Sequence, residues 1–99
     1  MPIIYHVTSA SEWALAQEQG FYEAPSLKGE GFIHCSEDGQ VAGVLSRYFA
    51  GRQNLLKLRI NTDKLTSRYV QEWSNSSQDT FPHIYGPINL ESIEQVEKL

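Results

Sequence analysis

The chain has 99 residues, 40% of them hydrophobic and 11% aromatic, and it carries a formal net charge of −4. This composition predicts one globular domain spanning residues 1–99. Nucleic-acid binding is not expected, because it needs a basic surface. With one cysteine the chain cannot form an intramolecular disulfide, and no apolar run is long enough for a membrane span. We therefore expect a cytoplasmic protein without a membrane partner, as a monomer or a weak homodimer.

The first elements are a strand and a helix. Residues 2–7 are mostly strand-favouring after the proline and predict a strand that is buried on both faces. Ser9 and Glu12 fit a capping box, so a helix should follow over about residues 10–19 and end at Gly20. Its inward side chains are expected to be Trp13, Ala16 and, as a weaker member, Leu15.

The centre of the chain predicts a turn, a strand and a second helix. Residues 28–31 read as a turn that leads into a strand over residues 31–36. Ser36 is the expected N-cap of a helix over about residues 37–50, which Gly51 closes. Its apolar stripe has the i, i+3, i+4, i+7, i+8 spacing of Val41, Val44, Leu45, Tyr48 and Phe49.

The remaining residues predict mainly strands. Strands are expected over residues 55–60, 69–73 and 83–85. Two interpretations of the C-terminal segment stay open: one helical turn over residues 90–93 followed by an edge strand, or a single helix. The element order predicts an α+β fold with a mixed or antiparallel sheet and two main helices.

The three histidines, His6, His34 and His83, each lie in a short apolar segment with an aromatic neighbour. We therefore predict that the three segments line one pocket. Tyr5, Phe32 and Tyr85 lie on the same segments and could stack on a planar ligand. Lys28 could meet a phosphate if its loop covers the pocket, although a solvated lysine is the commoner case.

A zinc site is the alternative use of three imidazoles. No two histidines lie two or four residues apart, and Cys35 should point away from His34 on a strand. We therefore predict no metal site. Cys35 is expected to be a small buried apolar residue.

Three segments, residues 4–6, 30–36 and 81–87, resemble the bacterial family known as domain of unknown function 952. That family resembles in fold the ADP-ribosyltransferase and RNA 2'-phosphotransferase group, in which two small sheets hold NAD or a related nucleotide. Residues 5–9 are similar to the first strand of those transferases, whose histidine holds a ribose. Residues 31–36 are similar to their second strand. The transferases' glycine after this histidine is Val7 here, and their catalytic glutamate has no evident counterpart.

The resemblance implies a split pair of small sheets around a cleft for a small, nucleotide-like ligand, with NAD as the candidate cofactor. His6 and Ser36 would position the ribose, and Tyr85 would stack. His34 or His83 would act as general acid or base in a glycosyl or phosphoryl transfer. The alternative function is a non-catalytic binding module that kept the cleft and lost the chemistry.

Overall fold

Residues 2–99 are described by a computed structural model, in which strands alternate with short helices. The α-helices are α1 (Ala10–Gln19), α2 (Pro25–Glu30) and α3 (Val41–Tyr48). The strands are β1 (Ile3–Ser9), β2 (Phe21–Tyr22), β3 (Ile33–His34), β4 (Leu55–Asn61), β5 (Tyr69–Ser74), β6 (Asp79–Ile84), β7 (Ile88–Asn89) and β8 (Ile93–Lys98). Single 3₁₀ turns cover Asp38–Gln40, Thr62–Lys64 and Leu90–Ser92.

The strands form small antiparallel sheets. The first sheet has the order β1-β4-β8, the second β3-β6-β5, and β2 pairs with β7. The first two sheets meet at one bridge, where Tyr5 N donates to Ser36 O over 2.8 Å and Ser36 N donates to Tyr5 O over 2.7 Å. This arrangement confirms a mixed α+β fold with antiparallel sheets.

The main core lies between the sheets and is built from aliphatic side chains of both. Fully buried members from four strands are Ile33, Leu58, Ile60, Ile84 and Ile88. A second cluster, Tyr5, Val7, Val41 and Leu55, fills the other face of β1. The first strand is therefore buried on both faces, as its sequence predicts.

The first helix has the predicted bounds and ends. Ser9 and Glu12 form both bonds of the capping box, and Gly20 closes the helix with φ 93°. Trp13 and Ala16 pack against the main core, whereas Leu15 is exposed. The inward assignment of Leu15 is wrong because residues two apart on a helix do not share a face.

The second predicted helix is shorter than expected. Residues 38–40 form a 3₁₀ turn, and the α-helix itself covers Val41–Tyr48. Ser36 is not its cap, because the Ser36 backbone pairs with Tyr5 and the box is formed by Glu37 and Gln40. Val41 belongs to the second core cluster and Leu45 and Phe49 pack against it, whereas Tyr48 is exposed.

A helix, α2, replaces the predicted turn at residues 28–31. Pro25 opens it, and Gly31 ends it with φ 90°. The helix has six residues, includes Gly29 and buries none of its side chains, so it leaves no periodic pattern in the sequence. Because Gly31 is its cap, the predicted strand over residues 31–36 shrinks to Ile33–His34.

The C-terminal segment follows the strand interpretation. After the turn Leu90–Ser92, β8 pairs with β4 and forms the edge of the first sheet. The predicted strand over residues 83–85 is instead the end of β6, which begins at Asp79. Within residues 2–99, no helix has both the length and the apolar character that a membrane crossing requires.

Candidate functional site

The pairing of β3 with β6 places two histidines side by side. In this register His34 lies opposite His83, and Ile33 lies opposite Ile84. The isoleucines point into the core, where both are fully buried. The imidazoles therefore point to the other face of the second sheet, with ring centroids 5.2 Å apart and ring planes at 74°.

Two aromatic rings complete a group with these imidazoles. Phe32 stacks on His83 at 4.2 Å and 17°, and its centroid is 4.9 Å from that of His34. The Tyr85 ring lies 5.5 Å from Phe32. We call these four side chains the ring cluster. It joins four of the residues that the sequence singles out: Phe32, His34, His83 and Tyr85.

Each imidazole of the ring cluster is held by a glutamate. His34 Nε2 lies 2.8 Å from Glu30 Oε2, and His83 Nδ1 lies 2.8 Å from Glu72 Oε1. Tyr85 donates its hydroxyl hydrogen to the same Glu72 oxygen. Because an ionised carboxylate only accepts hydrogen bonds, the bonded nitrogen of each ring carries the hydrogen. In the neutral rings, the lone pairs are then on His34 Nδ1 and His83 Nε2.

Neither lone-pair nitrogen has a hydrogen-bond partner within residues 2–99. The His34 side chain is 54% exposed. His83 is only 9% exposed, yet within residues 2–99 no buried side-chain nitrogen or oxygen lacks a hydrogen-bond partner. His83 Nε2, for which no partner is found in this part of the chain, therefore reaches the surface. The ring cluster thus has two acceptor nitrogens that no side chain or backbone group within residues 2–99 occupies.

The protonation states beside His83 follow from the hydrogen bonds of Glu72. The Tyr85 hydroxyl, and then His83, lower the pKa of Glu72, and the same bond raises the pKa of Tyr85. Glu72 is therefore ionised and Tyr85 neutral at neutral pH. The positive charge of Arg68 adds slightly to the lowering at Glu72 and only partly offsets the larger rise in the pKa of Tyr85. The Arg68 backbone carbonyl accepts from Tyr85 N over 2.8 Å.

Sequence reasoning missed Glu30, Glu72 and Arg68. Glu72 is eleven residues from His83 along the chain and reaches it only through the β5–β6 hairpin, in which Val70 lies opposite His83. Alternation along β5 places Val70 and Glu72 on the same face. A correct hairpin register was therefore the signal that could have identified Glu72. Glu30 reaches His34 from the end of α2, a helix that the sequence did not predict.

His6 lies in the core and not among the four rings. It is buried; its Nδ1 donates to the backbone carbonyl of His34, and its Nε2 lies 2.7 Å from the Tyr22 hydroxyl. The Tyr22 hydroxyl in turn lies 2.9 Å from Thr8 Oγ1. Burial lowers the pKa of His6 to about 4. His6 contacts the His34 segment only through the backbone carbonyl, and both of its nitrogens are occupied, which favours a structural role.

The other predicted ligand contacts lie in three further places. Tyr5 belongs to the second core cluster, and its hydroxyl accepts from Arg59 over 3.2 Å. Ser36 is buried at the bridge between the sheets. Lys28 is exposed on α2 and lines a separate groove between α1 and α2. Within residues 2–99, no side-chain hydrogen bond links these three residues to the ring cluster.

The described part of the chain has no group of three or more His, Cys, Asp or Glu residues arranged to hold a metal ion. Cys35 is buried in the main core, on the side of β3 opposite to His34. Burial raises the pKa of its thiol. The thiol therefore stays protonated, as expected for a small apolar core residue.

The two histidines of the ring cluster should differ in their contribution to stability. We expect His34→Ala to lower the free energy of unfolding by less than about 1 kcal/mol, because the side chain is mostly exposed. His83→Ala should cost about 1–3 kcal/mol, because it removes the stack on Phe32 and the partner of Glu72. Urea unfolding of both variants measures the difference. Equal losses would contradict the unequal burial of the two rings.

Comparisons with known proteins identify the family. Residues 7–96 match the family described as "Protein of unknown function (DUF952)", and this range includes two of the three histidine segments. The fold is similar to the crystal structure of protein CC0527 from Caulobacter crescentus, with a TM-score of 0.86, 29% identity, and 96% of this chain and 83% of that chain covered. The solution NMR structure of CC0527 gives a TM-score of 0.83 and 30% identity, with 100% of this chain and 85% of that chain covered. No curated protein matches the chain. The chain therefore belongs to the DUF952 family.

Proposed function

We propose that the ring cluster binds a small nucleotide-like molecule related to NAD, and that His34 and His83 serve as acid and base in a glycosyl or phosphoryl transfer. One observation carries this proposal: each imidazole is held by a glutamate through one nitrogen, and its other nitrogen has no protein partner within residues 2–99. A carboxylate that fixes the tautomer and orientation of an imidazole is the arrangement that general acid–base catalysis uses.

The neighbouring side chains support a nucleotide-like ligand. Tyr85 is exposed, and its ring lies beside Phe32, so the two can contact a planar base. Arg68 is exposed next to Tyr85 and supplies a positive charge suited to a phosphate. The transferase resemblance requires a catalytic glutamate. Glu72 is the candidate for this role, because it is ionised and contacts both His83 and Tyr85.

We further propose that the fold is related to the ADP-ribosyltransferase and RNA 2'-phosphotransferase group. The support is a pair of small antiparallel sheets joined at the Tyr5–Ser36 bridge, close to both strands that carry the resemblance. His6 departs from the role of the ribose-binding histidine, because both of its nitrogens are bonded within the protein.

This departure favours a second candidate function, a binding module without catalysis. If His6 cannot hold a ribose, the ligand rests on the ring cluster alone, where Glu30 and Glu72 add two negative charges beside the imidazoles. Such a site can bind the base of a nucleotide while lacking the contacts that orient a bond for cleavage.

NMR titration of the histidine ring nitrogens tests the proposal. We expect NAD, ADP-ribose or AMP to shift the ring signals of His34 and His83 in a saturable way, while the buried ring of His6 shows no change. His83→Gln should weaken binding at least tenfold, whereas Glu23→Gln, an exposed carboxylate outside the cluster, should leave binding unchanged. Absence of saturable shifts with all three nucleotides would contradict the proposal.

A turnover assay then separates the two candidates. With bound NAD and water as the acceptor, cleavage to nicotinamide and ADP-ribose that is lost in both His34→Gln and His83→Gln supports the glycosyl transfer. Binding of NAD with neither this cleavage nor any phosphoryl transfer product after prolonged incubation supports the non-catalytic module.

A further inference from the structure

The ring separation of the same two histidines matches that of two imidazoles bound to one transition-metal ion. We propose that His34 Nδ1 and His83 Nε2 together bind one divalent transition-metal ion, with zinc as the reference ion. This two-histidine site differs from a zinc site built from all three histidines, and it leaves two coordination positions for water or a ligand oxygen. It does not depend on nucleotide binding, because it needs only two adjacent nitrogen lone pairs.

The first argument is the spacing of the rings. With Zn–N bonds of about 2.0–2.1 Å, each ring centre lies about 3.2 Å from the ion, so a tetrahedral angle separates two ring centres by about 5.2 Å. The centroids of His34 and His83 are 5.2 Å apart. Their opposition across β3 and β6 brings the two side chains close together, because the strands bond next to this pair, where Cys35 N donates to Pro82 O over 3.0 Å.

The second argument is the set of groups behind the rings. A metal-binding histidine usually donates its other ring N–H to a carboxylate, a backbone carbonyl or water, which fixes the tautomer and raises the basicity of the nitrogen that binds the metal. Both histidines have such a partner, Glu30 for His34 and Glu72 for His83. The Tyr85 hydroxyl orients Glu72 in turn. Edge-to-face packing of two imidazoles needs no carboxylate on either ring, so the glutamate on each ring is an additional feature that a metal site would use.

The third argument concerns which ions fit. Imidazole nitrogens suit zinc, copper and nickel, whereas calcium and magnesium take oxygen ligands. The buried Cys35 thiol lies on the opposite side of β3 and cannot complete the site. His6 cannot join either, since both of its nitrogens are bonded. Because the metal takes the lone pairs that acid–base chemistry would use, zinc should inhibit any transfer reaction at the ring cluster.

Zinc titration of metal-free protein, without any nucleotide, tests the site. We expect calorimetry to show one zinc ion per chain. The ¹⁵N signals of His34 Nδ1 and His83 Nε2 should move, and those of His6 should not. His34→Ala should abolish stoichiometric binding while leaving the amide spectrum folded, since its side chain is mostly exposed. His83→Ala should also abolish stoichiometric zinc binding.

The carboxylate partners supply the sharper test. Glu72→Gln keeps the size of the side chain but loses the charge, and it should weaken zinc binding by about 10–100-fold. Glu23→Gln is the matched control and should have no effect on affinity. Absence of stoichiometric binding, binding that survives both alanine variants, or ring shifts at other nitrogens would overturn the inference. Failure here leaves the nucleotide proposal to its own test, because no nucleotide is present.

Discussion

Lowering the pH from 6.5 to about 4 should reduce the free energy of unfolding by roughly 3 kcal/mol through His6 alone. The folded protein holds His6 neutral, with a pKa lowered to about 4 by burial, whereas the unfolded chain has the ordinary value of 6.5. Between these values the unfolded state binds the extra proton, so acid favours unfolding. The contribution is complete above pH 6.5, is lost as the pH falls to about 4, and does not change further below that.

Urea unfolding at a series of pH values measures this effect. Carboxylates also titrate in this pH range and change the stability of every variant. The contribution of His6 is therefore read from the difference between the pH profiles of the variants and the wild type. His6→Gln should have a flatter pH profile between pH 6.5 and 4 than the wild type, and the exposed variant His34→Gln should keep the wild-type slope. An NMR titration of the His6 ring gives its pKa directly. A His6 pKa near 6.5, or identical slopes in all three proteins, would contradict the buried, neutral assignment.

Ile84→Ala should lower the free energy of unfolding by about 2–5 kcal/mol. Ile84 is fully buried on β6, opposite Ile33 of β3 and Tyr69 of β5, so its side chain joins all three strands of the second sheet to the core. Truncation leaves a cavity directly behind His83. We therefore expect broadened ring signals for His83 as well as a lower urea midpoint.

Val96→Ala is the matched control for this truncation. Val96 is also an aliphatic strand residue, but it lies on the edge strand β8 and is 39% exposed. Its loss should cost less than about 1 kcal/mol. Comparable losses for Ile84 and Val96 would show that the second sheet does not depend on this core contact.

The amino-acid sequence alone determined the features that depend on neighbouring residues. The bounds of α1 follow from the capping box of Ser9 and Glu12 and from Gly20, because caps act within one helical turn. Burial of both faces of β1 follows from its mostly strand-favouring sequence. The family relationship likewise needs no structure, because the family matches the sequence over residues 7–96.

Tertiary structure decided the composition of the candidate site. The three histidines have similar neighbours in the sequence and were therefore equal candidates for the site. Strand pairing places His34 beside His83, whereas His6 points into the core. Glu72 reaches His83 only through the hairpin register, and Glu30 reaches His34 only from the end of α2. These contacts depend on how distant segments pack, and no periodicity within one segment carries that information.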